Sequence, residues 1–336
     1  MENIDMTYFV KDAREKLEDK NSRRAAMIHT GVIVAAGLVL TLLQMVLARG
    51  MGNATGLSGL GTISMLQTAQ TVLQYANVIL TPFWNLGFLY VAMQWARNRA
   101  TGDRDLLTGF HRVGPCIGLL LNRFVIIFVA IFASVMICSN AYAMLPAGQQ
   151  LQSQMLATGA VDYNSYIESL TQQDMEALIA SMRPVLIVSC AVAAVALVPV
   201  LYRVRLAEYV ILDHKEARAF PAMLVSASLL RRRCWQMLKL DLQFWWYYGL
   251  KVLLLAICYA DSLLAMLGVT LPVNGDVAFL VSYVVYLALL FCVDACFLPR
   301  VKTAYACAYD ALKEMGPVPK QTKPAVPQKM PRDEQQ

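Results

Sequence analysis

The chain has 336 residues, of which 58% are hydrophobic and 15% are charged. Soluble domains carry about 25% charged residues, so the 29 Lys and Arg and the 23 Asp and Glu are too few to cover soluble domains of this total length. The composition also excludes a disordered chain and a typical nucleic-acid-binding protein, so we expect no nucleic-acid partner. It predicts an integral membrane protein.

Long stretches with few or no charged residues predict six transmembrane helices. A helix crosses the hydrocarbon core with about 20 apolar residues, and the stretches are continuous rather than alternating as in a transmembrane barrel. The predicted fold class is therefore all-α, a polytopic helix bundle within a membrane domain at 26–300. Its predicted spans are residues 26–48, 75–96, 124–145, 184–204, 244–267 and 277–298.

The distribution of Lys and Arg predicts the orientation of the bundle. The N-terminal segment, the second and fourth connections and the C-terminal tail together carry 26 of them, whereas the first, third and fifth connections carry two. Because basic residues stay on the cytoplasmic side, we predict a multi-pass protein of the cell membrane with both termini in the cytoplasm. The lipid bilayer is its expected partner, and the basic residues are expected to attract anionic inner-leaflet lipids.

Two segments outside the spans have the pattern of amphipathic interfacial helices. The cytoplasmic segment 1–25 places Phe9, Val10, Ala13 and Leu17 on one helical stripe. A second helix, at about 214–233, starts near a capping box formed by Asp213 and Glu216. Its predicted apolar stripe contains Phe220, Met223, Leu224, Ala227 and Leu230, and its expected inner-leaflet contacts are Arg231, Arg232, Arg233 and Trp235.

The remaining connections have simpler patterns. The glycine-rich stretch at 50–61 predicts a flexible, uncharged connection. After the last span we predict a cytoplasmic helix end at 301–314. The Pro-rich and Lys-rich tail at 315–336 cannot bury apolar area and is predicted to be disordered.

The cysteines and histidines do not form a metal-binding pattern. Cys292 and Cys296 lie four residues apart on one predicted helix, but neither His nor a third Cys accompanies them, so we interpret them as packing residues. His29, His111 and His214 lie in separate segments and are interpreted as interfacial polar residues. We predict no metal and no cofactor.

Three charged residues within the last two spans have no topological explanation: Lys251, Asp261 and Asp294. Charges inside a membrane indicate a functional site by default. Helical geometry places Tyr247, Lys251 and Asp261 on one polar stripe, and the depths of Lys251 and Asp294 predict an ion pair. The group is either a structural pair that fixes helix register or part of a polar path between spans five and six.

Three stretches of the chain resemble a bacterial family of polytopic membrane proteins, the one that carries the domain of unknown function numbered nine hundred and seventy-five. These are the Ala-Arg-Glu-Lys-Leu sequence at 13–17, the stretch at 202–242 and the stretch at 304–312, which contains Tyr305 and Tyr309. The resemblance implies a bacterial, uncharacterised multi-pass membrane protein and supplies no activity.

Three functions remain open from the sequence. The first is a non-enzymatic structural or auxiliary component that is organised at the inner leaflet, with other membrane proteins as partners. The second is a small-solute transporter or channel. The third is an intramembrane enzyme, the least supported, because the chain has no HExxH, GxSxG or paired-acid motif.

Overall fold

The computed structural model describes residues 6–18, 22–53, 57–146, 148–149, 153, 172–214, 216–231, 233–259 and 275–316. Within these ranges the chain is almost entirely helical and has no β-strand, which confirms the all-α prediction. The predicted tail beyond Gly316 lies outside the described residues, as does Asp261.

We number the α-helices α1 to α11 in chain order, and a 3₁₀ turn, Asp103–Leu107, precedes α4. The helices are α1 Met6–Glu18, α2 Ser22–Asn53, α3 Leu57–Ala96, α4 Thr108–His111, α5 Val113–Ala143, α6 Gln172–Arg203, α7 Ala207–Asp213, α8 Ala219–Leu229, α9 Cys234–Gln243, α10 Trp245–Cys258 and α11 Gly275–Glu314.

Four helical segments of the described chain are long and apolar enough to cross a membrane: Ser22–Leu47, Val113–Ala143, Met182–Asp213 and Leu280–Glu314. Each overlaps one of the predicted spans. The predicted second span forms the last part of α3, and the described part of the fifth corresponds to the shorter apolar helix α10. The chain therefore has the helices of a membrane protein.

The glycine-rich region after the first span is more helical than predicted. Helix α2 continues to Asn53 and α3 begins at Leu57, so the flexible connection predicted at 50–61 is wrong for its described part. Helix propensity is only a weak guide at such positions. In an apolar environment a helix is favoured because it satisfies the backbone hydrogen bonds within the segment itself.

The buried residues concentrate at one end of the molecule, in a cluster that we call the basal core. It is built from α1, the last part of α3, α7, α8, α9 and the second half of α11. By contrast, only 6–11% of residues are buried in the most apolar windows of the four candidate spans. Large and fully buried members of the basal core are Phe88, Trp95, Ile211, Leu230, Met237, Leu240 and Tyr309.

Helix α1 packs on protein rather than on a membrane surface. Its predicted stripe is present, with Phe9, Ala13 and Leu17 at most 8% exposed. The stripe faces the basal core, mainly α11, which continues as one helix through Pro299 to Glu314. The predicted interfacial position of this stripe is therefore wrong, because the extension of α11 supplies an apolar surface that covers it.

Helix α8 also differs from the prediction. The helix starts after Arg218, without a side-chain cap, so the predicted capping box at Asp213 and Glu216 is wrong. It buries Met223 against neighbouring helices but leaves Phe220 and Leu224 more than half exposed. The predicted apolar stripe is thus divided between the basal core and the molecular surface.

The longer helices form two groups that meet at the basal end. Helices α5 and α6 pack along each other, whereas α2, α3, α10 and α11 form the second group. Helix α7 contacts both α3 and α5, and α8 contacts α5. The boundary between the two groups, just above the basal core, is where the polar residues of the spans converge.

Two glycines allow the segment before α5 to lie directly on α3. A Cβ atom on Gly87 would overlap the carbonyl oxygen of Leu106, and one on Gly109 would overlap the carbonyl oxygen of Phe83. Both overlaps involve backbone atoms, which cannot rotate away. Only glycine is compatible with this close backbone approach.

We expect Gly87→Ala to lower the free energy of unfolding by about 1–3 kcal/mol, because the overlap forces the backbone apart. The matched control is Gly114→Ala, a helical position where a Cβ atom meets nothing within 4 Å. The control should leave stability unchanged or slightly higher. Thermal unfolding in detergent measures both variants, and equal stability of the two would contradict this close approach.

Candidate functional site

A cavity of about 420 Å³ lies between the two helix groups. Residues from α2, α3, α5, α7, α10 and α11 form its wall, so both helix groups contribute to it. We call it the central cavity. Its polar and ionisable lining residues are His29, Asn85, Arg123, Glu208, Tyr247, Tyr248, Lys251, Asp294 and Lys302.

Lys251 and Asp294 form an ion pair in the wall of the central cavity. The Lys251 Nζ atom lies 2.9 Å from Oδ1 and 3.1 Å from Oδ2 of Asp294. The Tyr247 hydroxyl donates a 2.7 Å hydrogen bond to Oδ1 of the same carboxylate. The structure therefore brings together three of the four residues that the sequence grouped, while the fourth, Asp261, lies outside the described residues.

Helix α10 turns its predicted polar stripe towards the protein. Tyr247 and Cys258 are 2% and 6% exposed, whereas Leu253 is 58% exposed. Lys251 lies one helical turn after Tyr247, and its ammonium group is 4.9 Å from the centre of the Tyr247 ring. The stripe thus positions the ammonium group beside both an acid and an aromatic face.

A second ion pair in the wall of the central cavity joins α5 to α7. The Arg123 guanidinium on α5 donates a 2.5 Å hydrogen bond to the Glu208 carboxylate on α7. Sequence reasoning missed this pair because it treated Arg123 only as a topological signal. The sequence did contain a signal for it: Arg123 directly precedes the predicted third span and Glu208 follows the predicted fourth, so both charges lie at the same end of neighbouring spans.

Lys302 is the third cation of the cavity, and it differs from the other two. It lies on α11 in the cavity wall. Among the described residues, no carboxylate lies within ion-pairing distance of its ammonium group and none of its side-chain atoms makes a hydrogen bond. Three cations therefore face two carboxylates, Glu208 and Asp294, and both carboxylates are already paired.

His29 contributes a buried face of the cavity rather than the interfacial position that the sequence predicted. The residue is 2% exposed, and its ring stacks on Phe88 at a centroid distance of 4.5 Å. Its carbonyl oxygen accepts a 2.9 Å hydrogen bond from the indole of Trp84. Within the described chain, its Nδ1 atom is buried and has no hydrogen-bond partner.

Below the cavity, Asp241 joins the ends of several helices. Its carboxylate accepts hydrogen bonds of 2.5 and 3.0 Å from Arg205, a 2.7 Å hydrogen bond from Tyr202 and a further one from Tyr305. The hydroxyl of Tyr305 also lies 3.0 Å from that of Tyr248, a cavity residue. Tyr202, Arg205, Asp241 and Tyr305 all fall in the stretches that carry the family resemblance.

A parallel network forms around Arg97, just after α3. Its guanidinium donates bonds of 2.6 and 2.9 Å to Asp310 and forms a 2.8 Å ion pair with Asp213. The hydrogen bonds to Asp310 raise the pKa of Arg97, with a further contribution from Asp213, although burial acts in the opposite direction. Asp213 also pairs with Lys313 at 2.5 Å, so this network joins α3, α7 and α11.

The predicted inner-leaflet residues do not line the central cavity. Arg231 and Trp235 lie on the surface around the turn between α8 and α9, and Trp235 is 66% exposed. Arg233 instead donates a 3.0 Å hydrogen bond to the carbonyl oxygen of Gly316. Arg232 lies outside the described residues.

The site offers no set of metal ligands in the part of the chain that the structure describes. Cys292 and Cys296 are both exposed on α11. The cavity instead offers ammonium, guanidinium, amide and imidazole groups beside apolar side chains such as Leu86, Leu119 and Leu298. This arrangement is suited to noncovalent binding of a ligand that carries both a polar and an apolar part.

No protein family model, curated protein or solved structure that was compared with the chain matches it.

We expect Asp294→Asn to lower the free energy of unfolding by about 2 kcal/mol, because it leaves Lys251 without its counterion. Tyr247→Phe, which keeps the ion pair and removes one hydrogen bond, should lower it by about 1 kcal/mol. The combined exchange Lys251→Asp with Asp294→Lys restores an ion pair and should therefore be more stable than Asp294→Asn. Thermal unfolding in detergent measures all three, and an Asp294→Asn protein as stable as the unchanged protein would contradict a stabilising pair.

Proposed function

We propose that the chain is a six-span protein of the cell membrane with both termini in the cytoplasm. Four apolar helices of sufficient length support the membrane placement. The last part of α3 and the apolar helix α10 are the further spans of this proposal. Arg97, Arg205 and Lys313 all belong to the basal end, which supports assigning this end to the cytoplasm by the positive-inside rule.

The proposed role is that of a non-enzymatic structural or auxiliary component of the membrane. The observation that carries this proposal is the contrast between the basal core, which two ionic networks hold together, and the candidate spans, whose apolar faces are largely exposed. The resemblance to the bacterial multi-pass family of unknown function belongs to the same proposal.

Helix α5 illustrates the exposed apolar faces. Phe124, Phe128 and Phe132 are 63%, 57% and 57% exposed, and consecutive rings lie 6.1 Å apart in a stacked row. Soluble proteins rarely expose large contiguous apolar patches, and such faces mark lipid or protein contacts. Under our proposal the basal core fixes the helices at one end, and these faces associate with lipid and with other membrane proteins.

The orientation predicts the side from which introduced cysteines can be labelled. In a variant without the native cysteines, Asp162→Cys should react with a membrane-impermeant maleimide in intact cells. Arg231→Cys, at an exposed position of the basal end, should react only after the cells are permeabilised. The reverse pattern would contradict the proposed orientation. Labelling of both positions from the same side would contradict the single span, the predicted fourth, that separates them.

The auxiliary role predicts a specific protein neighbour at the α5 face. A photo-reactive amino acid at Phe128 should cross-link to one recurrent membrane protein in native membranes. The matched control is Phe88, which is 1% exposed in the basal core and should give no intermolecular product. If Phe128 yields only lipid adducts, the auxiliary role is wrong while the membrane placement stands.

A small-solute path is the second candidate function, and the central cavity is the observation that favours it. The cavity lies between two helix groups and is lined by ionisable residues. If the path uses Lys251 and Asp294, proteoliposomes that contain the unchanged protein should show solute flux. The combined exchange Lys251→Asp with Asp294→Lys should abolish that flux while the protein remains folded. Absence of flux for every ion and solute tested would exclude this function and leave the auxiliary role.

A further inference from the structure

We infer that the central cavity is a binding site for a phosphate-class anion, with Lys302 as its principal cation. The inference rests on the proposed membrane placement, but not on the auxiliary role or on a solute path. It concerns a site different from the exposed residues Arg231 and Trp235 that the sequence associated with lipid.

The charge balance of the cavity supports an anionic ligand. Arg123 is paired with Glu208, and Lys251 is paired with Asp294. The ammonium group of Lys302 adds one positive charge for which the described residues supply no ion-pairing carboxylate. A cation enclosed without a counterion is costly, and a bound anion with one negative charge would balance this cavity.

The geometry of the donors supports phosphate-class chemistry. Arg123 uses one guanidinium nitrogen for Glu208, and its remaining N–H groups can form the paired hydrogen bonds that suit phosphate oxygens. The side-chain amide of Asn85 adds a further polar group to the same wall. The carboxylates of Glu208 and Asp294 are engaged by cations, which reduces their repulsion of an anion.

The position of the cavity fits the level of lipid headgroups. Lys302 lies about one helical turn beyond Leu298, the predicted inner end of span six. Basic pockets between transmembrane helices on the cytoplasmic side bind phospholipid headgroups. Leu86, Leu119 and Leu120 add an apolar part to the wall, where a glycerol backbone or the start of an acyl chain can lie.

A phosphate ester can come from a phospholipid headgroup or from a soluble metabolite, and the volume of about 420 Å³ accommodates either. The shared chemistry is the phosphate group. The experiment therefore uses one probe for each source: phosphatidylglycerol in mixed micelles, with phosphatidylcholine as the zwitterionic comparison, and glycerol phosphate in solution.

Lys302→Gln is the decisive variant. We expect it to bind the phosphate probe about tenfold more weakly, because one charged hydrogen-bonding partner is lost. Lys302→Arg should keep most of the affinity. The matched control is Lys239→Gln, which removes a basal-end lysine that is exposed on α9 and does not line the cavity. Native mass spectrometry and calorimetry measure retention of lipid and binding of glycerol phosphate.

Glu208→Gln provides a second test if Lys302→Gln does not fold. It removes a negative charge from the cavity wall and frees Arg123, so phosphatidylglycerol should bind more tightly. Weaker binding by Lys302→Gln or tighter binding by Glu208→Gln, with Lys239→Gln unchanged, supports the inference. If only glycerol phosphate shows this dependence, the anion site stands and its source is soluble.

The inference is overturned if folded Lys302→Gln and Glu208→Gln proteins bind both probes as the unchanged protein does. It is also overturned if phosphatidylcholine binds as strongly as phosphatidylglycerol and glycerol phosphate does not bind. Labelling of Asp162→Cys and Arg231→Cys is measured independently. Correct orientation with charge-independent lipid binding would therefore reject the anion site and leave the proposed membrane placement intact.

Discussion

The need to compensate two partly buried carboxylates at the basal end, Asp213 and Asp241, constrains how the helices meet. A charge removed from water is costly unless an opposite charge and several hydrogen bonds compensate for it. Asp241 receives this compensation from Tyr202 and Arg205 at the end of α6 and from Tyr305 on α11. Asp213 receives it from residues after α3 and on α11. Each carboxylate is compensated only when the ends of several helices come together, so the two networks select one arrangement of the basal core.

The same constraint explains why few residues are buried in the candidate spans away from that end. In hydrocarbon, lipid chains cover an apolar side chain as well as a neighbouring helix does, so apolar contact alone supplies little driving force for association. The spans predicted from the sequence contain few charged residues besides Lys251, Asp261 and Asp294, and Lys251 and Asp294 pair with each other. The ionic networks therefore join the helices at the basal end. The central cavity lies between these networks and the exposed apolar faces of the spans.

The sequence predicted those features that depend on the cost of charge in hydrocarbon. Charge-free stretches located helices that the structure contains, and relative depth suggested that Lys251 faces Asp294. Amphipathic patterns were less informative, because the stripe of Phe9 and Ala13 does not encode whether lipid or protein covers it. Lys302 was missed for a related reason. A basic residue at the inner end of a span satisfies the positive-inside rule, and that rule accounts for its position without reference to its neighbours.

At the boundary between the helix groups, one basic residue can both orient the protein in the membrane and bind a ligand. Orientation requires only that lysine and arginine remain on the cytoplasmic side, and an exposed surface position satisfies that requirement at low cost. Lys302 instead lies in a cavity wall near two ion pairs that leave its charge uncompensated. In the proposed orientation, an anionic inner leaflet would supply counterions at this depth, whereas a position deeper in hydrocarbon would not. A bound phosphate-class anion would compensate this surplus charge, and the proposed membrane placement puts the cavity where the phosphate of a lipid headgroup can reach it.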